Sequence, residues 1–132
     1  MATVATVGAL VGSPTVTLCT AQTGTGASTN VADRGAGYGS AGYGPALLTI
    51  TSTIGATPTV TVDIQGSADG TNWFNIAYAL PATPETPVVT ALTITTAVTS
   101  VYILRANQPW RFCRLNLSAN TNVTLTASLY VP

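Results

Sequence analysis

The chain has 132 residues, of which only 6% are charged; four arginines balance four acids, and histidine and lysine are absent. A net charge of zero provides no long-range field for nucleic acid or an anionic membrane. Without histidine, the side chain best matched to proton transfer near neutral pH is missing.

The length suits one domain with a proper core, and Thr and Val in alternation favour pleated sheet, where a branched β-carbon packs well. From Met1 to Val11 the chain is mildly apolar but has no basic segment, so no secretory signal is expected. No run approaches the roughly 18 continuous apolar residues that a membrane-spanning helix needs. A Gly-Ser-Pro break at residues 12–14 precedes a short strand predicted over Val16–Thr20. Residues 21–45 read as a long irregular segment in which Gly35, Gly37, Gly39, Gly42 and Gly44 alternate with Ala, Ser and Tyr. Glycine at this density costs much backbone entropy to order. An anchor is therefore expected, with Tyr38 and Tyr43 as the suitable side chains and either the chain's own sheet or a neighbouring subunit as the support.

From Ala46 the period is two. Leu48, Ile50 and Ile54 are expected on one face, then Val60, Val62 and Ile64, and after a turn at Ala68–Gly70 come Phe74, Ile76 and Tyr78. A Pro-rich loop is expected over Pro81–Pro87. Further strands are predicted at Val88–Thr95, Ser100–Leu104, Trp110–Leu117 and Val123–Tyr130. Many short strands with turn signals between them and no helical period specify an all-β fold. The expected architecture is an antiparallel β-sandwich of jelly-roll type, with residues 1–45 as N-terminal strand and glycine-rich arm and residues 46–132 as the sandwich core. Val62, Ile64, Phe74, Ile76, Val101, Ile103, Cys113, Leu115, Leu125 and Leu129 are expected to point inward.

The chemistry-bearing residues are sparse. Asp33, Asp63, Asp69 and Glu85 are scattered, no base is available to activate a Ser or Thr nucleophile, and the glycine run lacks the Lys-Ser/Thr pair of a phosphate loop. Cys19 and Cys113 lie in strand-like contexts that suit buried thiols, although a disulfide between them stays open. Two cysteines without histidine do not make a zinc site. No enzyme activity, metal or cofactor is expected. The Ser67–Gly70 turn leads to Trp73, which either covers one end of the core or, with Tyr78, offers a stacking platform for a sugar. Arg111 is expected to reach Asp63 or Asp69. Phe112 and Arg114 should share the face away from the core as a candidate interface pair, with Arg114 either in an intersubunit contact or paired within its own domain. So uncharged a surface does little to keep copies apart, and a homo-oligomer is expected.

The segments IQGSADGTNWFNI (residues 64–76) and WRFCRLNLS (residues 110–118) together resemble the GS-x-DG-x-NW … R-x-R-L pattern of small β-sandwich virion proteins of tailed bacteriophages. The turn also resembles that of discoidin-like carbohydrate-binding sandwiches. The resemblance spans Val60–Leu117 and falls on Ser67, Asp69, Gly70, Trp73 and Arg114. It implies a capsid cement or decoration protein, typically a trimer, that sits on the outer capsid surface, grips the major capsid protein and is assembled in the host cytoplasm. Residues 1–15 and 24–45 would contribute to that grip. Tail or head-fibre accessory proteins share the pattern, and a carbohydrate-binding module is the rival it implies.

Overall fold

The computed structural model describes residues 3–6, 15–35, 45–105 and 108–131. Within them are β1 (Thr3–Thr6), β2 (Thr15–Gln22), β3 (Gly26–Ala27), β4 (Asn30–Asp33), β5 (Ala46–Ser67), β6 (Phe74–Asn75), β7 (Tyr78–Leu80), β8 (Thr83–Val88), β9 (Leu92–Ile94), β10 (Thr99–Leu104) and β11 (Phe112–Tyr130). They form one large, open, all-β sheet, antiparallel throughout except where β1 runs parallel to β4. The order along it is β1-β4-β11-β5-β10-β7-β8, with β2 and β3 also on β11 and with β6 and β9 on β5.

Two strands organise everything else. β5 and β11 pair along their whole length, from Phe112 opposite Ser67 to Tyr130 opposite Leu47. Midway the register jumps: Thr121 faces Thr59 and Val123 faces Ile54, so residues 55–58 stand against Asn122 alone. Such an insertion bends the strand that carries it. Both Thr57 and Asn122 are left-handed here, at φ 45° and 56°, a region asparagine tolerates better than most residues. The Asn122 amide donates to the Ala56 carbonyl at 2.6 Å, while Asn120 brackets the backbone of Val123.

The excursion of residues 55–58 is even in number, so the inward parity survives it. Leu48, Ile50, Val60, Val62 and Ile64 on β5 are all buried, as are Cys113, Leu115, Leu117, Val123, Leu125 and Leu129 on β11. Both halves of the folded sheet thus turn one face to a single core, a sandwich-like arrangement. Each fully buried aliphatic side chain there contributes about 1.5–3 kcal/mol before entropic costs.

Val16, Leu18, Cys19 and Ala32, from residues 1–45, pack in the same core as the side chains of residues 46–132. Several expectations need correction. Residues 21–45 are not wholly irregular, because β3 and β4 lie within them on β11. Tyr38 and Tyr43 lie outside the described residues. The stretch Pro81–Pro87 is mostly strand β8, paired to β7 as a hairpin, an edge position where proline's missing N–H is tolerated. Ile54 is 44% exposed because it abuts the bulge. Val101 is 36% exposed and Ile103 half-buried; the pairing of Tyr102 with Leu48 and Leu104 with Ala46 turns the even residues of β10 inward instead. Phe74 is 39% exposed. It pairs with Gly66, and the space beside Gly66 is filled by Trp110.

Candidate functional site

Each of two tryptophans carries an arginine on its ring, at opposite levels of burial. The first stack closes one end of the core. Trp110 is fully buried, and the Arg34 guanidinium carbon lies 3.6 Å from its ring centroid. Arg34, itself only 2% exposed, donates from Nε to the Trp110 carbonyl at 2.9 Å and from Nη2 to the carbonyls of Trp110 and Gln108. A buried cation is tolerable only when its donors are met, and these carbonyls meet them.

Beside it, Arg111 forks onto Asp33, with Nε to Oδ1 at 2.7 Å and Nη2 to Oδ2 at 3.0 Å. This corrects the expected pairing of Arg111 with Asp63 or Asp69; β4 lies on the start of β11 and brings Asp33 opposite Phe112. The Gln108 amide grips both backbone groups of Ala77 at 2.8 Å, as a strand neighbour would. Gly66 is required here, since a Cβ on it would fall 2.6 Å from Trp110 Cβ and 2.8 Å from Ile76 Cγ2. Trp110 Nε1 is buried with no hydrogen-bond partner among the described residues.

The second stack lies on the outer face. Ser67, Asp69 and Gly70 make the turn that the sequence indicates. Asp69 accepts from Ser67 Oγ, from the backbone N–H groups of Thr71 and Asn72, and from Asn72 Nδ2, all within 2.9 Å. Those donors, led by the Asn72 and Thr71 amides, hold its carboxyl well below the usual carboxylate range. Gly70 is left-handed at φ 79°, and the Phe112 ring lies against it, 3.5 Å from where a Cβ would stand. The turn delivers Trp73 beneath Arg114, whose guanidinium carbon is 4.1 Å from the ring centroid. Arg114 Nε donates to Gln65 Oε1 at 2.9 Å. Desolvation pushes the Arg114 pKa down. Arg111 also lies over the Phe112 ring, at 5.0 Å.

The structure therefore brings Trp73, Phe112 and Arg114 onto one outer surface, beside the turn. Tyr78 is elsewhere: it is 6% exposed, packs edge-to-face on Tyr102 at 5.5 Å and meets Thr90 Oγ1 through its hydroxyl. A stacking platform needs an open ring, which Tyr78 does not offer. Cys19 and Cys113 are both free and buried. Burial pushes the Cys113 thiol up to about 12, despite the opposing pull of nearby Arg34. Among the described residues, no three His, Cys, Asp or Glu side chains gather as a metal site would require, and no helix is long and apolar enough to cross a membrane.

A second outer surface lies on the other half of the folded sheet. Tyr130, Leu47 and Ile103 are aligned across β11, β5 and β10. The next rows hold Thr17, Ser128, Thr49 and Val101, then Thr126, Thr51 and Thr99. None of these positions is ionic, and the hydroxyls of Thr51 and Thr99 are 3.1 Å apart. Strand parity already sets Thr49 and Thr51 on a face opposite Leu48 and Ile50, whereas sequence reasoning did not single out the Arg34–Trp110 corner. The visible signal for the corner was Asp33-Arg34, two adjacent charges in a chain that has almost none.

No protein-family model, curated protein or solved structure matches the chain.

Proposed function

We propose that this chain is a non-enzymatic cement protein of a bacteriophage capsid. It would bind the outer shell, bridge neighbouring major capsid subunits and associate with itself, as a trimer in the form the sequence resemblance favours. The observation that carries this reading is the ion-free face of β2, β11, β5 and β10, with Tyr130, Leu47, Ile103 and Val101 set among rows of Thr. Such a face loses little solvation when laid against protein, because it holds no charge to strip of water. Aromatic and aliphatic side chains at its end supply the apolar area that anchors an interface. In this reading the sandwich is of jelly-roll type, the form that the sequence favours, with β10 and β11 on either side of β5.

The direct test is cosedimentation with empty shells of the major capsid protein. Saturable binding, with shells that resist heat better when occupied, is the expected result. Absence of saturable binding overturns the reading. Light scattering of the free protein should report three protomers. Glycan-array binding that Trp73→Ala abolishes in a folded protein would move the assignment to a carbohydrate-binding module. Trp73 keeps only one ring face for such a ligand, since Arg114 covers the other.

A further inference from the structure

We infer that the outer face around Arg114 is a contact with a second copy of this chain, in which the Arg114 guanidinium pairs with the partner's Asp63. The inference rests on the self-association included in the proposed function and assigns it a place. It begins from the disposition of charge. Arg34 is spent on backbone carbonyls, Arg111 on Asp33 and Arg105 on Glu85. Asp69 is spent on its own turn. Two charges remain. Asp63 makes no hydrogen bond or ion pair among the described residues, and Arg114 uses only Nε, leaving its Nη1 and Nη2 fork unbonded.

Both lie on one face. Their inward neighbours Val62, Ile64, Cys113 and Leu115 are buried, so Asp63, Gln65, Arg114 and Asn116 face outward. Arg114 stands opposite Gln65 and Asn116 opposite Asp63, which makes Arg114 and Asp63 diagonal neighbours roughly 7–8 Å apart. A long side chain could span that gap, but the Arg114 guanidinium is drawn over Trp73 and onto Gln65 instead. The patch therefore holds one cation and one anion that are left unpaired within the chain among the described residues. A second copy related by rotation presents the complement of each: about a two-fold axis two pairs form at once, and about a three-fold axis each copy serves the next.

The guanidinium is prepared for this. Gln65 fixes Nε and Trp73 supports the plane, so the fork is held before a carboxylate arrives and little side-chain freedom remains to be lost. The same patch carries Phe112 and Trp73, the residue types that anchor interfaces alongside Arg.

The test is a charge swap read by sedimentation equilibrium at low and high salt. Arg114→Asp and Asp63→Arg should each weaken self-association about tenfold or more, and the double swap should restore it to within about threefold of wild type, as a direct pair requires. Salt should weaken the wild-type association. Circular dichroism and thermal unfolding confirm that each variant folds, and the milder Arg114→Gln and Asp63→Asn replace any that does not. Single variants that associate like wild type, or a double swap no better than the singles, overturn the pairing and place the self-contact elsewhere. A wild-type protein that stays monomeric also overturns it. Shell binding by the same samples is scored separately, so the cement reading stands or falls on its own result.

Discussion

Arg34 on Trp110 and Arg114 on Trp73 are the same chemical pair put to opposite uses. At the buried corner every donor of the guanidinium that the carbonyls can reach is engaged, the ring is sealed by the absence of a side chain at Gly66, and the neighbouring ion pair of Arg111 and Asp33 ties β4 to β11. At the outer face the guanidinium is steadied at one nitrogen and left open at two. What separates them is where the acceptors come from. The 108–110 segment supplies the corner with the carbonyls of Gln108 and Trp110, whereas the outer face supplies one glutamine. An arginine in a chain with four is thus either a structural rivet or a prepared ligand, according to how many acceptors its surroundings provide.

The sharpest break of that comparison is a matched pair of truncations. Arg34→Ala should lose about 3–5 kcal/mol in urea unfolding, because it strips a buried network of its cation and leaves carbonyls unmet. Arg114→Ala should lose under about 1 kcal/mol, as partly exposed ionic contacts do, while it impairs self-association. Comparable stability losses at both would erase the distinction.

A second pair asks whether the two faces of β11 differ as the register says. Leu115→Ala, in the core, should cost about 2–5 kcal/mol through lost transfer energy and a residual cavity. Thr124→Ala, on the outer ion-free face, should cost less than about 1 kcal/mol in the free protein. Guanidinium unfolding of both variants measures the difference, and equal costs would contradict the face assignment.

The pH dependence sharpens the comparison further, with the smallest effect. Asp69 has a folded pKa depressed by its turn donors, so its contribution is present above the carboxylate's ordinary range of about 4 and fades as pH falls toward the folded value. Asp69→Asn should flatten that acid limb. Cys113 works in the other direction: with its pKa raised from 9.0 to about 12, its contribution is complete below the ordinary thiol pKa and is lost as pH rises toward the folded value. Cys113→Ser, compared by thermal melts across the alkaline range, should flatten the basic limb and leave the acid limb alone.

Much of the sheet was legible because period two is a local property: Val62, Ile64, Ile76, Leu115, Leu125 and Leu129 alternate with polar neighbours and are all buried. The turn at Asp69-Gly70 was legible for the same reason, since its donors and acceptors lie within three residues of one another. Ser100–Leu104 was not, because SVYIL is apolar on both faces and only its pairing with β5 chooses between them. The corner was also hidden. Arg34 meets Trp110 across 76 residues and Asp33 meets Arg111 across 78, and no local pattern records such a meeting. The outer-face set of Phe112 and Arg114 was readable from strand parity, but the partnership of Arg114 with Trp73 and Gln65 needed the register between β5 and β11.

The claim that joins these features is that the chain works by lying against protein on the surface of a viral shell. Imaging of intact particles at a resolution that separates strands tests it most directly. The expected map shows the folded sheet on the outside of the capsid in symmetric clusters, with the Arg114 face turned toward a neighbouring copy. Particles whose shells carry no density for this chain would contradict the account.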